Sequence, residues 1–228
     1  GLLRGVIDPE LGSHIVELGI AKGVELDDDG RVEVDEHLRT ANPRIYAAGD
    51  VCSPYKFTHA ADFMARAVVQ NAFFGFAGRK KVSSLTIPWS TYTDPEIAHV
   101  GLYEHEAQAR GVGIATFTVP MSGVDRAIAE GADEGFVKIH VEKGRDQIVG
   151  ATVVAKHAGE MISEIATAMA GRIGLGKLAS VIHPYPTWSE AIRKTGDLYN
   201  RTRLTDFRSA MLRRFFAWRR REGGRGAQ

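Results

Sequence analysis

One cysteine, Cys52, in 228 residues excludes an intramolecular disulfide and any Cys-x-x-Cys redox pair within this chain. A lone thiol fits a reducing, cytoplasmic compartment. No apolar run approaches the roughly 20 residues needed to span a bilayer, and Gly1-Leu2-Leu3-Arg4 begins no long apolar stretch of the secretory kind. The eight histidines show neither His-Glu-x-x-His nor paired-ligand spacing, so no metal site is expected. Eight prolines and 25 glycines do not make a low-complexity chain, and no internal repeat is visible. What is present, 44% hydrophobic and 25% charged residues, is ordinary globular protein with enough chain for one large domain or two modest ones.

The net charge of +1 hides an uneven distribution. Residues 201–228 carry nine arginines against Asp206 and Glu222, a local +7, so the preceding residues sum to −6. Such asymmetry marks an interaction tail and not a nucleic-acid-binding fold; no nucleic-acid partner is expected. In the tail, Phe207, Met211, Phe215 and Trp218 share one helical face, with Arg208, Arg213, Arg214, Arg219, Arg220 and Arg221 mostly elsewhere. Two readings stand level: peripheral contact with an anionic membrane, or a helix packed on its own domain with a frayed basic end.

Composition and period outline the elements. Leu18–Leu26 and Val32–Val34 read as short strands around the turn Asp27-Asp28-Asp29-Gly30, and Pro43–Val51 as a short buried strand ending in Gly-Asp. Ala61, Met64, Ala65, Val68, Ala72, Phe73 and Phe76 fall at helical spacing over Ala60–Phe76. A second unit begins near Ser84, with strands expected over 87–92, 97–100, 114–119, 135–141 and 147–154. A short helix over 103–110 interrupts them, and Lys143-Gly144-Arg145-Asp146 has hairpin turn chemistry. Amphipathic helices follow over 158–172, with Met161, Ile165, Ala168 and Met169 on one face, and over 187–200. Strands first and helices after give an α+β layer, an antiparallel sheet with helices on one side.

Two stretches hold residues suited to chemistry. In Ala47-Ala48-Gly49-Asp50-Val51 the small residues let a ligand lie against the backbone, and Asp50 can accept hydrogen bonds from sugar-like hydroxyls. Thr58 then heads a helix whose free N–H groups suit an electron-rich ring edge. Read for structure alone, the same residues are a Gly-Asp turn and a plain N-cap. Gly174-Leu175-Gly176-Lys177-Leu178-Ala179 imitates a phosphate-binding glycine fingerprint, but it lies between two helices and is read as a helix-breaking turn. Cys52 is read as a small buried hydrophobe.

The run from Val34 through Asn42-Pro43-Arg44-Ile45-Tyr46-Ala47-Ala48-Gly49-Asp50-Val51 resembles the second flavin-contact motif of the pyridine nucleotide–disulfide oxidoreductases. Matches follow in order: Phe57-Thr58-His59; Thr91-Tyr92-Thr93-Asp94-Pro95-Glu96-Ile97-Ala98-His99-Val100-Gly101; Ile148-Val149-Gly150-Ala151; Ala158-Gly159-Glu160-Met161-Ile162; and His183-Pro184-Tyr185-Pro186-Thr187-Trp188-Ser189-Glu190. The likeness covers about residues 32–204 and is nearest to the mercuric-reductase-like branch.

This resemblance implies FAD as cofactor and NAD(P)H as reductant of the complete enzyme. It places Gly49, Asp50 and Val51 at the ribityl chain, and Thr58, His59 and Ala60 at the flavin pyrimidine end. It implies a homodimer in which the His183–Glu190 loop reaches the partner's flavin. In thiol-disulfide members the loop pattern His-Pro-Thr-x-x-Glu supplies a base and its carboxylate. Aligning Pro186-Thr187-Trp188-Ser189-Glu190 on it puts Tyr185 in the base position, as in the mercuric-reductase branch; aligning on His183-Pro184 keeps a histidine and displaces Glu190. The first register matches more residues. A phenol is a poor base at neutral pH but a good hydrogen-bond donor.

The family's Gly-x-Gly-x-x-Gly turn, redox cysteine pair and second Rossmann domain have no counterpart in this sequence. The expected organisation is a C-terminal remnant of the FAD/NAD(P)-binding region over 1–83, a dimerisation domain over 84–204 and a basic helix or tail over 205–228. The chain then corresponds to the C-terminal half of a flavoenzyme, as a fragment, a truncated gene or one piece of a split protein whose N-terminal half is encoded separately. A non-catalytic dimerisation module is the competing expectation.

Overall fold

The structure, a computed structural model, describes residues 23–223, which divide between Leu85 and Thr86 into two compact units. In the first unit the extended runs do not become strands. Leu26 and Val32 meet in a single antiparallel bridge, and so do Arg39 and Tyr46, while Gly49–Val51 closes a 3-10 turn; residues 18–22 of the first expected strand lie outside the described residues. The reason is local competition for the backbone. Asp27 accepts from the Arg31 amide at 2.8 Å, Asp35 from the His37 and Arg39 amides at 2.8 and 3.0 Å, and Asn42 from the Arg44 amide at 3.0 Å. Side chains that satisfy backbone donors in this way favour turns over ladders.

Helix α1, Thr58–Phe73, is the long element of this unit. Its inward face is Ala60, Met64, Ala67 and Asn71. Phe73 and Phe76, expected on that face, are instead 72% and 89% exposed, beyond the helix's last buried turn. Asn71 takes the inward place because its amide is fully used: it donates to the His37 and Lys80 carbonyls at 2.9 Å each and accepts from the Lys80 amide at 2.7 Å.

The second unit is a five-stranded antiparallel sheet of β1 Pro88–Thr91, β2 Glu96–Gly101, β3 Ile114–Pro120, β4 Phe136–Glu142 and β5 Ile148–Ala155, in spatial order β1-β2-β5-β4-β3. Between the strands lie α2, Glu104–Ala109, and α3, Asp125–Ala129; after them come α4, Ala158–Ala170, α5, Leu175–Leu178, α6, Glu190–Thr202, and α7, Asp206–Gly223. Helix α4 packs on β1, β2 and β5, and α6 on β3 and β4. The core between them collects Ala98, Val100, Ile139, Val153, Ile165 and Ile192, all fully buried. This is the α+β layer that the element order implies. Met161, Ile165 and Ala168 of α4 face inward, with Met169 packed at the edge. Gly174 is the N-cap of the four-residue α5.

The sheet's other face carries a polar cluster. His99 stacks on Tyr103 with ring centroids 3.6 Å apart, and its Nδ1 lies 2.9 Å from Thr152 Oγ1. His140 Nδ1 lies 2.9 Å from Thr116 Oγ1. Both side chains are 2% exposed, and burial holds both imidazoles below the usual histidine pKa.

Candidate functional site

Each unit carries one group of the residues singled out in the sequence. In the first unit, the Gly49–Val51 turn is pressed against α1. Gly49 has φ +78°, and a Cβ on it would stand 2.9 Å from the Ala61 Cβ, so only glycine lets the turn approach this closely. Asp50 follows on the surface, with no hydrogen bond or ion pair among the described residues. Helix α1 starts next to it behind Phe57, whose side chain provides no cap. The N-cap position of this 16-residue helix therefore supplies no side-chain acceptor, a helix start that favours an external acceptor or partial negative charge. Thr58 and His59 are exposed there, the His59 ring stacked on Phe57 at 5.4 Å, and Ala60 is buried beneath them. Thr58 stands at the first helical position and is not itself the cap. An exposed unpaired carboxylate beside an uncapped helix start is a donor and acceptor set that fits the ribityl and pyrimidine ends of a flavin.

The loop before α6 holds the second group. Tyr185 is 72% exposed, and its hydroxyl donates to Asp125 Oδ2 at 2.8 Å. That bond and the Asp125 charge raise the phenol's pKa, with a smaller push from Glu190. The phenol is thus held protonated with its hydrogen already directed. His183 is placed differently. Its side chain is 7% exposed, Nε2 lies 2.8 Å from Glu164 Oε1, and Nδ1 lies 3.0 Å from the Val181 carbonyl. Both ring nitrogens are engaged inside the domain. Glu190 opens α6; its Oε1 meets Arg193 and Lys194 at 3.2 Å each, while its Oε2 is buried without a hydrogen-bond partner.

Tyr185, His183 and Glu190 therefore do not form one hydrogen-bonded set. Each has its own partner, and two of those partners, Asp125 and Glu164, escaped sequence reasoning because they lie 60 and 19 residues from the groups they hold. Cys52 is half-buried, its thiol pKa pushed up by burial, and its Sγ lies 3.5 Å from the Gly49 carbonyl. It packs as a small apolar residue. Among the described residues no group of three histidine, cysteine or carboxylate side chains is arranged to hold a metal ion.

Comparison with known proteins bears on the same stretches. The pyridine nucleotide-disulphide oxidoreductase dimerisation domain matches residues 87–195, and a second pattern of pyridine nucleotide-disulphide oxidoreductases matches residues 14–65. The mercuric reductase of Streptomyces lividans is 36% identical over 177 residues, which cover 77% of this chain and 37% of that protein. A dihydrolipoyl dehydrogenase of Thermus scotoductus is 34% identical over 181 residues, 79% of this chain and 38% of its own. The crystal structure of LpdA from Mycobacterium tuberculosis superimposes with a TM-score of 0.71 at 30% identity, over 78% of this chain and 38% of that one. The chain thus spans less than two-fifths of the length of these relatives. Two successive family patterns and these relatives agree on one conclusion: the chain belongs to the pyridine nucleotide-disulphide oxidoreductase family.

Proposed function

We propose that the chain is the C-terminal part of an FAD-dependent NAD(P)H oxidoreductase, similar to mercuric reductase and dihydrolipoyl dehydrogenase, that works as a cytoplasmic homodimer. In this reading residues 1–83 belong to the nucleotide-binding region, 84–204 form the dimerisation domain and 205–228 are an appended basic helix. FAD, when bound, supplies the hydride and electron chemistry, and the protein supplies orientation and electrostatics. Asp50 would accept hydrogen bonds from ribityl hydroxyls, with Gly49 and Val51 holding the turn that presents it. The first-turn amides of α1, at Thr58, His59 and Ala60, would meet the flavin pyrimidine oxygens and offset negative charge there. From the partner subunit, the Tyr185 hydroxyl would turn its one hydrogen from Asp125 to the electron acceptor, and Glu190 would hold the loop's exit.

The observation that carries this reading is the conjunction at the start of α1: an uncapped 16-residue helix beside a glycine turn whose carboxylate has no partner among the described residues. The test is flavin retention by the complete enzyme. Replacing Asp50 with Ala removes hydrogen bonds to a charged group, contributions of about 1.5–3 kcal/mol, so FAD should dissociate at least tenfold more readily. Retention equal to wild type would remove Asp50 from the site.

A further inference from the structure

Helix α7 is absorbed by nothing in the flavoenzyme reading. It is 18 residues long, so about 27 Å. Of the side chains described between Phe207 and Arg220, only the small residues Ser209, Ala210 and Ala217 are half-buried; the rest are exposed. Phe207 is 78% exposed, Met211 56%, Phe215 45% and Trp218 54%. The helix is therefore not packed by its apolar face on the domain that carries it, which removes the second of the two readings the sequence left open.

At 3.6 residues per turn, Phe207, Met211, Phe215 and Trp218 fall within about 80° of arc. The Phe215 and Trp218 rings lie 6.0 Å apart, whereas Leu212 and Phe216 fall outside the arc, beyond Arg219. Helical geometry sets Arg214 and Arg219 at the two borders of the four-residue arc and Arg213 and Arg220 on the opposite side. Long guanidinium stems at such borders can lie along an apolar surface while the heads reach outward into phosphate-rich surroundings. Among the described residues no helix is long and apolar enough to cross a membrane. An arc of aromatic side chains framed by arginines is instead suited to lie in the plane of an interface.

We propose that α7 docks on an anionic lipid surface, its aromatic arc in the headgroup boundary and the bordering Arg214 and Arg219 on lipid phosphates. Charge selects this occupant. With nine arginines against two acids over 201–228, pairing with a second copy of the helix would set like charges against each other. A nucleic acid would satisfy the arginines but leave the aromatic arc in water.

Vesicle co-sedimentation of the chain tests the proposal. Binding is expected to vesicles of phosphatidylcholine mixed with phosphatidylglycerol, to be absent with phosphatidylcholine alone, and to weaken as salt is raised. Combining Arg214→Gln with Arg219→Gln should weaken partition roughly thirtyfold, since each basic residue near such a surface contributes about a factor of five. Combining Phe215→Ser with Trp218→Ser should abolish binding with the arginines intact, and near-unchanged circular dichroism would show that the domain still folds. On vesicle addition the fluorescence that Trp218→Phe removes should shift to the blue. Equal binding to neutral vesicles, binding that survives the Phe215 and Trp218 changes, or a preference for duplex DNA or for self-association through α7 would each overturn it. None of these readouts depends on flavin, so the proposal can fail while the flavoenzyme reading stands.

Discussion

Tyr185 and His183 lie two residues apart and differ in every physical respect that matters to chemistry. The phenol faces solvent with its proton directed at Asp125; the imidazole is enclosed and paired with Glu164. In the complete enzyme, Tyr185→Phe should slow electron transfer to the acceptor about tenfold or more, the loss of one directed hydrogen bond, while reduction of the flavin by NAD(P)H stays near normal. Stopped-flow separation of the two half-reactions is the measurement. If His183→Ala abolishes turnover and Tyr185→Phe changes nothing, the register that places Tyr185 at the acceptor is wrong.

A second consequence at this scale concerns pH. Burial disfavours the charged forms of His99 and His140, so their folded pKa values lie below the ordinary 6.5, although Glu106 near His99 and Glu104 near His140 oppose the shift. Below that value the unfolded chain binds more protons than the folded one, and acid favours unfolding. The second unit should hold its stability above neutrality and lose it as pH falls through 6.5 toward the folded pKa values. Urea midpoints recorded across that range would show the slope, and a flat profile would contradict neutral, buried imidazoles.

Among the elements, close approach of backbones decides what substitution costs. A Cβ at Gly150 in β5 would stand 2.0 Å from the Leu102 carbonyl oxygen, so β5 and the chain leaving β2 can meet only with glycine there. Gly150→Ala should destabilise the second unit by about 3 kcal/mol, read from its denaturation midpoint. The five strands were legible as short apolar runs bounded by turn residues, although β1 and β2 carry no clean two-residue alternation, and α4 from its 3.6-residue period. Helix α3, Asp125–Ala129, was not: five residues carry too little period to stand out. Pro43–Val51 reads as strand by composition, yet Asn42 and Asp35 spend their side chains on nearby amides and leave one bridge. In α1 the register was legible but its inner face was not, because Asn71 is driven inward by hydrogen bonds that hydropathy does not see.

For the whole molecule, each group of candidate site residues has its own unit, and under the proposed function one chain would supply both a flavin-facing group and an acceptor-facing loop. The order of motifs made the family legible and carries the proposed roles by resemblance; the local chemistry of Asp50 or Tyr185 alone would not. The apolar side chains left outside on α1, Phe63 at 56%, Val69 at 51% and Phe73 at 72%, are surface that a larger assembly would cover. The decisive measurement is subunit complementation in the complete enzyme. One subunit carries Asp50→Ala and its partner Tyr185→Phe. If the loop of one subunit serves the flavin of the other, both lesions fall on one site and leave the second intact, so the mixed dimer should regain about half of wild-type turnover. Recovery no greater than that of either parent variant would place flavin contact and acceptor loop within one subunit and contradict the shared site.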